Sequence, residues 1–247
     1  MSTTSTPRPT RRIGHKGADL IAPGNTEASF HAALEHGVDM IEFDVLPAYP
    51  DGHGELYLAH DYEDVRRRRD GGTLLTLDQG LAIFASEAFG AIELDVDLKL
   101  PGYEDRAVAA LTDHGLTGRT LVSTMETSSL RAIRELAPGL RTGWSIPKVR
   151  GNPLDHAIKK YVAYGLAVAY RLGLPVVAPR AIRAGRCDAL MVHHMLVTER
   201  LARAVAAAGG ELYVWTVDDA ATIRRLVDWG VAGVITNDPR LFDAPAG

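Results

Sequence analysis

Apolar residues recur along this chain in two rhythms that take turns. Short runs of β-branched and large apolar residues, apolar throughout or at every second position, read as strands. They fall at 12–16, 40–46, 55–59, 91–98, 120–123, 141–145, 189–193, 211–216 and 233–236. Between them lie stretches in which apolar positions return every three or four residues, the helical period. These predict helices over 26–36, 76–84, 103–114, 127–136, 154–172, 197–208 and 219–229. On the first helix Ala28, Ala32 and Leu34 form the expected inward face, with Asn25 or Thr26 placed to cap its start. Asp51-Gly52 is a strong turn signal between the second and third strands. The stretch 173–186 shows neither rhythm and receives no assignment.

This alternation predicts a parallel sheet with crossover helices. About eight strand–helix steps in 247 residues favour a closed sheet. The expected fold is therefore α/β, a single (β/α)8 TIM barrel of roughly 250 residues. Residues 1–11, rich in Ser, Thr, Pro and Arg, form the expected disordered tail, and 12–247 the barrel domain.

Charge and cysteine usage narrow the function classes. A net charge of −4 argues against a general nucleic-acid binder. It leaves an anionic small molecule open, because a bound cation can dominate the local field. The lone Cys187 allows no internal disulfide and no cysteine-based metal site, and is expected to be inert. No stretch approaches the roughly 18 apolar residues of a membrane span. The N-terminal segment lacks the apolar core of a signal peptide, so a cytoplasmic enzyme is the expectation.

Ionisable residues gather where predicted strands end, the side on which barrel enzymes carry their active sites. Glu42 and Asp44, two apart on a strand, share one face. Inside a barrel that face is the crowded lumen, and two close carboxylates raise each other's pKa unless a cation neutralises them. Mg²⁺ or Ca²⁺ suits such oxygen donors. A solvated edge strand is the plainer alternative, disfavoured by Met40, Ile41, Phe43 and Val45. Glu93, Asp95 and Asp97 alternate along the next strand; Asp97, nearest its end, is the candidate third ligand, and ion pairs closing the barrel are the alternative. Lys99 shares that face and can hold a phosphate oxygen. His15 and His60, at neighbouring strand ends, suit general acid–base chemistry near neutral pH. The paired His193 and His194 cannot both face the lumen. The basic run 66–69 reads as a solvated loop, with a rim for anionic head groups as the alternative. Trp144 and Trp229 are expected to pack.

Together these residues resemble the glycerophosphodiester phosphodiesterase family, from His15 to Pro239 and most thinly over 147–187. The family's motifs stand here as His15-Lys16-Gly17, Pro23-Gly24-Asn25-Thr26 and Ile41-Glu42-Phe43-Asp44-Val45. They continue as His60-Asp61, Asp97-Leu98-Lys99, Trp215-Thr216-Val217-Asp218 and Ile235-Thr236-Asn237-Asp238-Pro239. The resemblance implies one divalent metal on Glu42, Asp44 and Asp97. His15 and His60 become acid and base in unassigned order, and Lys16, Lys99 and Trp215 bind substrate or phosphate. It further implies a small phosphodiester substrate, cleaved to an alcohol and glycerol phosphate, with a substrate hydroxyl able to act as nucleophile.

Three positions depart from the pattern: Lys16 for arginine, Gly24 for glutamate and Asp97 for glutamate. About 15 residues separate His60 from the next predicted helix, leaving no room for the inserted domain many relatives carry. A lysophospholipase D-like enzyme in contact with lysophospholipid, or a non-catalytic barrel that binds phosphorylated ligands, are the rival readings.

Overall fold

The computed structural model describes residues 9–148 and 157–244. Nine strands form in chain order: β1 (Arg11–His15), β2 (Met40–Pro47), β3 (Leu56–Leu58), β4 (Glu93–Leu98), β5 (Thr120–Thr124), β6 (Arg141–Ile146), β7 (Ala189–His193), β8 (Glu211–Trp215) and β9 (Gly233–Thr236). Eight of them close into a parallel barrel in the order β1, β2, β4, β5, β6, β7, β8, β9 and back to β1. The expected barrel is therefore present, with one correction. The run at 55–59 is not one of its staves, because β3 lies antiparallel against β2, Val45 opposite Leu58 and Pro47 opposite Leu56. β1 is short and reaches only Met40, Ile41 and Glu42 of β2. The edge of β2 beyond it is open, and β3 takes that place.

The helices are α1 (Glu27–Glu35), α2 (Tyr62–Asp70), α3 (Leu77–Phe84), α4 (Glu104–Asp113), α5 (Thr127–Leu136), α6 (Ala157–Arg183), α7 (Glu199–Ala206) and α8 (Ala220–Asp228). Thr26 caps α1 in a reciprocal box with Ser29, an arrangement worth about 0.5–2 kcal/mol. The buried face of α1 is Ser29, Phe30 and Ala33, while Ala28 is exposed. The face is rotated from the expected one because Phe30, whose ring packs 4.6 Å from Phe84, sets the orientation.

Two larger differences concern segments without a usable rhythm. The basic run is not a loop but the body of α2, started by Asp61, whose side chain accepts from Asp64 N. The unassigned stretch 173–186 is helical up to Arg183, continuing α6 through Pro175 and Pro179. Leu174, Ala178 and Ala181 bury the inner face of that part. β1 starts at Arg11, one residue early and inside the segment assigned to the tail; residues 1–8 of that tail lie outside the described residues.

Inside the barrel Ile13, Met40, Leu121, Ala189, Met191, Tyr213 and Ile235 fill the lumen. The N-terminal end is shut by charge. Arg11 reaches Glu93 at 3.2 Å and Glu211 at 3.0 Å, and Arg141 bridges the same two carboxylates. Glu93 thus belongs to the barrel floor. Among the described residues, no helix is long and apolar enough to cross a membrane.

Candidate active site

The site is assembled by strand register at the opposite, C-terminal mouth. Parallel pairing sets His15 opposite Glu42, Glu42 opposite Asp95, and Asp44 opposite Asp97. Three adjacent staves thereby deliver a histidine and four carboxylates to one place. Glu42, Asp44 and Asp97 can each offer an oxygen with all three atoms within 4.8 Å of one another. Glu42 and Asp44 are buried, and Asp97 is partly so.

Lys99 is the cation that holds this cluster together. Its Nζ lies 2.5 Å from Asp44 Oδ1 and also contacts Asp97. Burial would lower the lysine, but Asp44 and Asp97 outweigh it and hold the ammonium well above its ordinary value. Burial, then Asp44, drives Glu42 well above the usual carboxylate range. Asp95 is pushed up to about 8, mainly by burial. Asp44 moves the other way: burial opposes its charge, but Lys99 and the nearby His60 and Lys16 keep it ionised. One lysine stands among four acids, and it is the partner of Asp44 Oδ1, so the excess of carboxylates at the mouth is only partly offset. The donor set is all hard oxygen. These residues fit a divalent cation.

Asn25 orients Asp44. Its Nδ2 donates to Asp44 Oδ2 at 2.9 Å, and its Oδ1 accepts from Asp44 N at 3.1 Å. The turn that presents it is unusual, with Lys16 (φ 51°) and Asn25 (φ 55°) both left-handed. Asn25 N donates to Lys16 O at 2.9 Å, and Lys16 N donates to Glu42 Oε2 at 2.9 Å. The side chain of Lys16 turns to Asp19, Nζ to Oδ2 at 3.4 Å, and does not line the central pocket. A Cβ on Gly24 would lie 2.6 Å from Asp19 Oδ1. Glycine there lets Gly24 N donate to that carboxylate at 2.7 Å. Asp19 thus places its carboxylate between position 24 and the Lys16 ammonium.

His15 is pushed down to about 4 by burial and then by Lys16, so its ring is neutral near pH 7. His15 Nδ1 meets Asn237 Oδ1 at 2.5 Å, while Asn237 Nδ2 donates to Asp218 Oδ2 at 2.6 Å. With the amide so oriented, Nδ1 carries the proton and Nε2 keeps its lone pair, 3.8 Å from Glu42 Oε2. His60 is half-exposed on the turn between β3 and α2, its Nδ1 3.1 Å from Asp61 Oδ2. A cavity of about 220 Å³ joins His15, Glu42, His60, Asp97, Lys99 and Trp215. All the expected site residues except Lys16 line it or, for Asp44, lie directly beneath. His193 and His194 stack on each other at 4.4 Å, and His193 stands edge-on to Trp215 at 5.0 Å.

From the sequence Asn25 is only a cap candidate, and Asn237 and Asp218 receive no role of their own. Arg68 is hidden in the basic run. It is buried, pairs with Asp64 at 2.7 Å, and donates to the carbonyls of Gly24 and Asn25. One signal for its burial does exist in the chain: Asp64, four residues earlier on a helix, shares its face. Cys187 is buried, and its thiol is pushed up to about 11 by that burial.

A closed α/β barrel with an oxygen-ligand cluster, a buried lysine and two histidines at its C-terminal mouth defines an enzyme of the metal-assisted hydrolase class. Residues 86–241 match the model of the glycerophosphoryl diester phosphodiesterase family, and the chain belongs to that family. It is 28% identical over 258 residues to a glycerophosphodiester phosphodiesterase of Caldanaerobacter subterraneus subsp. tengcongensis, across 92% of this chain and 93% of the relative. Its fold matches a glycerophosphodiester phosphodiesterase of Parabacteroides distasonis at TM-score 0.70, with 19% identity over 94% of each chain. It also matches an Oleispira antarctica phosphodiesterase, solved with the product sn-glycerol-3-phosphate, at TM-score 0.66 and 19% identity, over 96% of this chain and 98% of the other.

Proposed function

We propose that this protein hydrolyses glycerophosphodiesters to an alcohol and glycerol phosphate, with Glu42, Asp44 and Asp97 holding one Mg²⁺ or Ca²⁺. The observation that carries this is the convergence of those carboxylates, Lys99, His15 and His60 on one mouth cavity of a barrel of this family. When bound, the cation withdraws charge from a non-bridging phosphate oxygen.

The chain's own groups supply the rest. Lys99 presents its ammonium to the phosphate, where fixed positive charge stabilises the transition state. His15, neutral and with Nδ1 committed to Asn237, offers Nε2 as the base that takes the nucleophile's proton. His60, with Nδ1 held by Asp61, has Nε2 free to protonate the departing alkoxide. Trp215 forms a wall of the cavity and packs against the bound substrate, while Lys16 acts through its backbone and its charge. A cytoplasmic site of action belongs to this proposal.

The test is turnover of glycerophosphocholine by purified protein, first with EDTA and then with Mg²⁺ or Ca²⁺ restored. Hydrolysis that disappears with the chelator and returns with metal is expected. A folded sample inactive with either metal overturns the proposal and favours a barrel that only binds phosphorylated ligands.

A further inference from the structure

A groove of about 820 Å³ lies outside the barrel wall, between α5 and the C-terminal half of α6. Successive side chains on a strand point to opposite sides. Ser145 of β6 therefore lines the catalytic cavity, while Trp144 faces outward into the groove. Trp144 also borders a smaller apolar groove of about 400 Å³, walled by β5, β6 and α6. The larger groove differs from it in charge. Arg131 and Arg134 reach it from α5, Arg180 from α6 and Arg186 from the turn after α6. Glu135 is the single acid on its described lining.

Little in the protein neutralises these four guanidinium groups. Arg134 Nη2 lies 2.9 Å from Asp188 Oδ2, an oxygen that also accepts from Thr142 N and Oγ1. Arg134 Nε is buried and has no hydrogen-bond partner among the described residues. Arg131, Arg180 and Arg186 are exposed and form no ion pair among the described residues. A cation is favoured in the last turn of a helix, which accounts for Arg134 and Arg180 one at a time. It does not account for four arginines around one groove in a protein of net charge −4.

We infer that this groove binds a nucleoside polyphosphate, its phosphates on the arginines and its base against the Trp144 indole. Guanidinium forks match phosphate oxygens two by two. Four of them call for a ligand with several negative charges close together. Small-molecule sites usually span about 300–1,000 Å³, so the volume suits a nucleotide. Leu130, Val177 and Ala181 make the rest of the lining apolar, a surface for a base and not for a further phosphate. The inference stands apart from the chemistry proposed for the mouth, because no residue of the catalytic cavity lines this groove.

Calorimetric titration of ADP into the purified protein tests this, at saturating Mg²⁺ so that chelation stays constant. ADP should bind about tenfold more tightly than pyrophosphate, the gain from stacking one base on an aromatic ring. Arg131→Glu and Arg186→Glu, both at exposed positions, should each weaken ADP by about 10- to 100-fold. Their melting temperatures should match the parent's, which checks folding. A parent protein that binds no ADP overturns the inference. So does ADP affinity that survives both reversals, since the nucleotide would then sit elsewhere, as at the catalytic mouth. Pyrophosphate binding as tightly as ADP overturns the assignment of a nucleoside to Trp144.

Discussion

The amide of Asn237 faces His15 with its oxygen because its nitrogen is taken by Asp218. That choice fixes the His15 tautomer and leaves the lone pair on Nε2, the atom proposed as the base. Asn237→Ala should lower kcat about 10- to 100-fold with a smaller change in KM, as losses of orienting partners do. His15→Ala and His60→Ala remove the proton-transfer groups themselves and should each cost about 10²–10⁴ in turnover. Steady-state kinetics on glycerophosphocholine would rank the three; equal activity in parent and variants rejects the assigned roles. Asp44→Asn should weaken metal affinity and lower stability through the lost ion pair with Lys99, while the barrel stays folded. Calorimetric titration with Mg²⁺ or Ca²⁺ measures it, and parent-like affinity refutes the ligand role.

At the scale of elements, α2 acts as a brace for the Gly24–Asn25 turn. Arg68 reaches out of it to two carbonyls of that turn while pairing with the buried Asp64. Truncating Arg68 leaves Asp64 paired with Arg67 alone, at 2.6 Å, and strips two carbonyls of their donor, at a cost of about 1–3 kcal/mol. Arg68→Ala should therefore lower stability by that order in urea unfolding and weaken metal binding through a loosened Asn25. A loss below about 1 kcal/mol would mean that α2 is not a brace.

This helix also shows where the sequence is hard to read. Four consecutive arginines hide any apolar stripe, and helical period depends on apolar contrast. Pro175 and Pro179 obscure α6 for a related reason, since proline normally ends a helix by removing a donor. By contrast, the mouth is legible in Glu42, Asp44, Asp97 and Lys99, because a spacing of two along a strand is enough to fix a shared face. What spacing does not convey is register between strands. The antiparallel placement of β3, and the bonds from Asn25 and Asn237 across the chain, depend on partners far away in sequence.

For the whole molecule, the two ends of the barrel hold opposite kinds of charge arrangement. The mouth keeps acids in excess, whereas the floor balances Arg11 and Arg141 against Glu93 and Glu211. Burial works against the Glu211 charge, but Arg141 and Arg11 prevail and hold its pKa below the ordinary value. A depressed carboxylate contributes stability above its unfolded value of about 4.3, and that contribution is lost as pH falls through the folded value. Glu211→Gln should therefore destabilise by about 1–3 kcal/mol at pH 7, with the gap to the parent narrowing below about pH 4. Denaturant curves at the two pH values test this; a gap that widens in acid contradicts it.

The strand order has one more consequence. Staves β1, β2 and β4 are neighbours and carry His15 and the carboxylates, while the apolar groove is walled by β5, β6 and α6. The carboxylates with His15 and the apolar groove thus occupy separate sectors of one rim. A lineage, or a protein engineer, can reshape the second sector while the first keeps its arrangement.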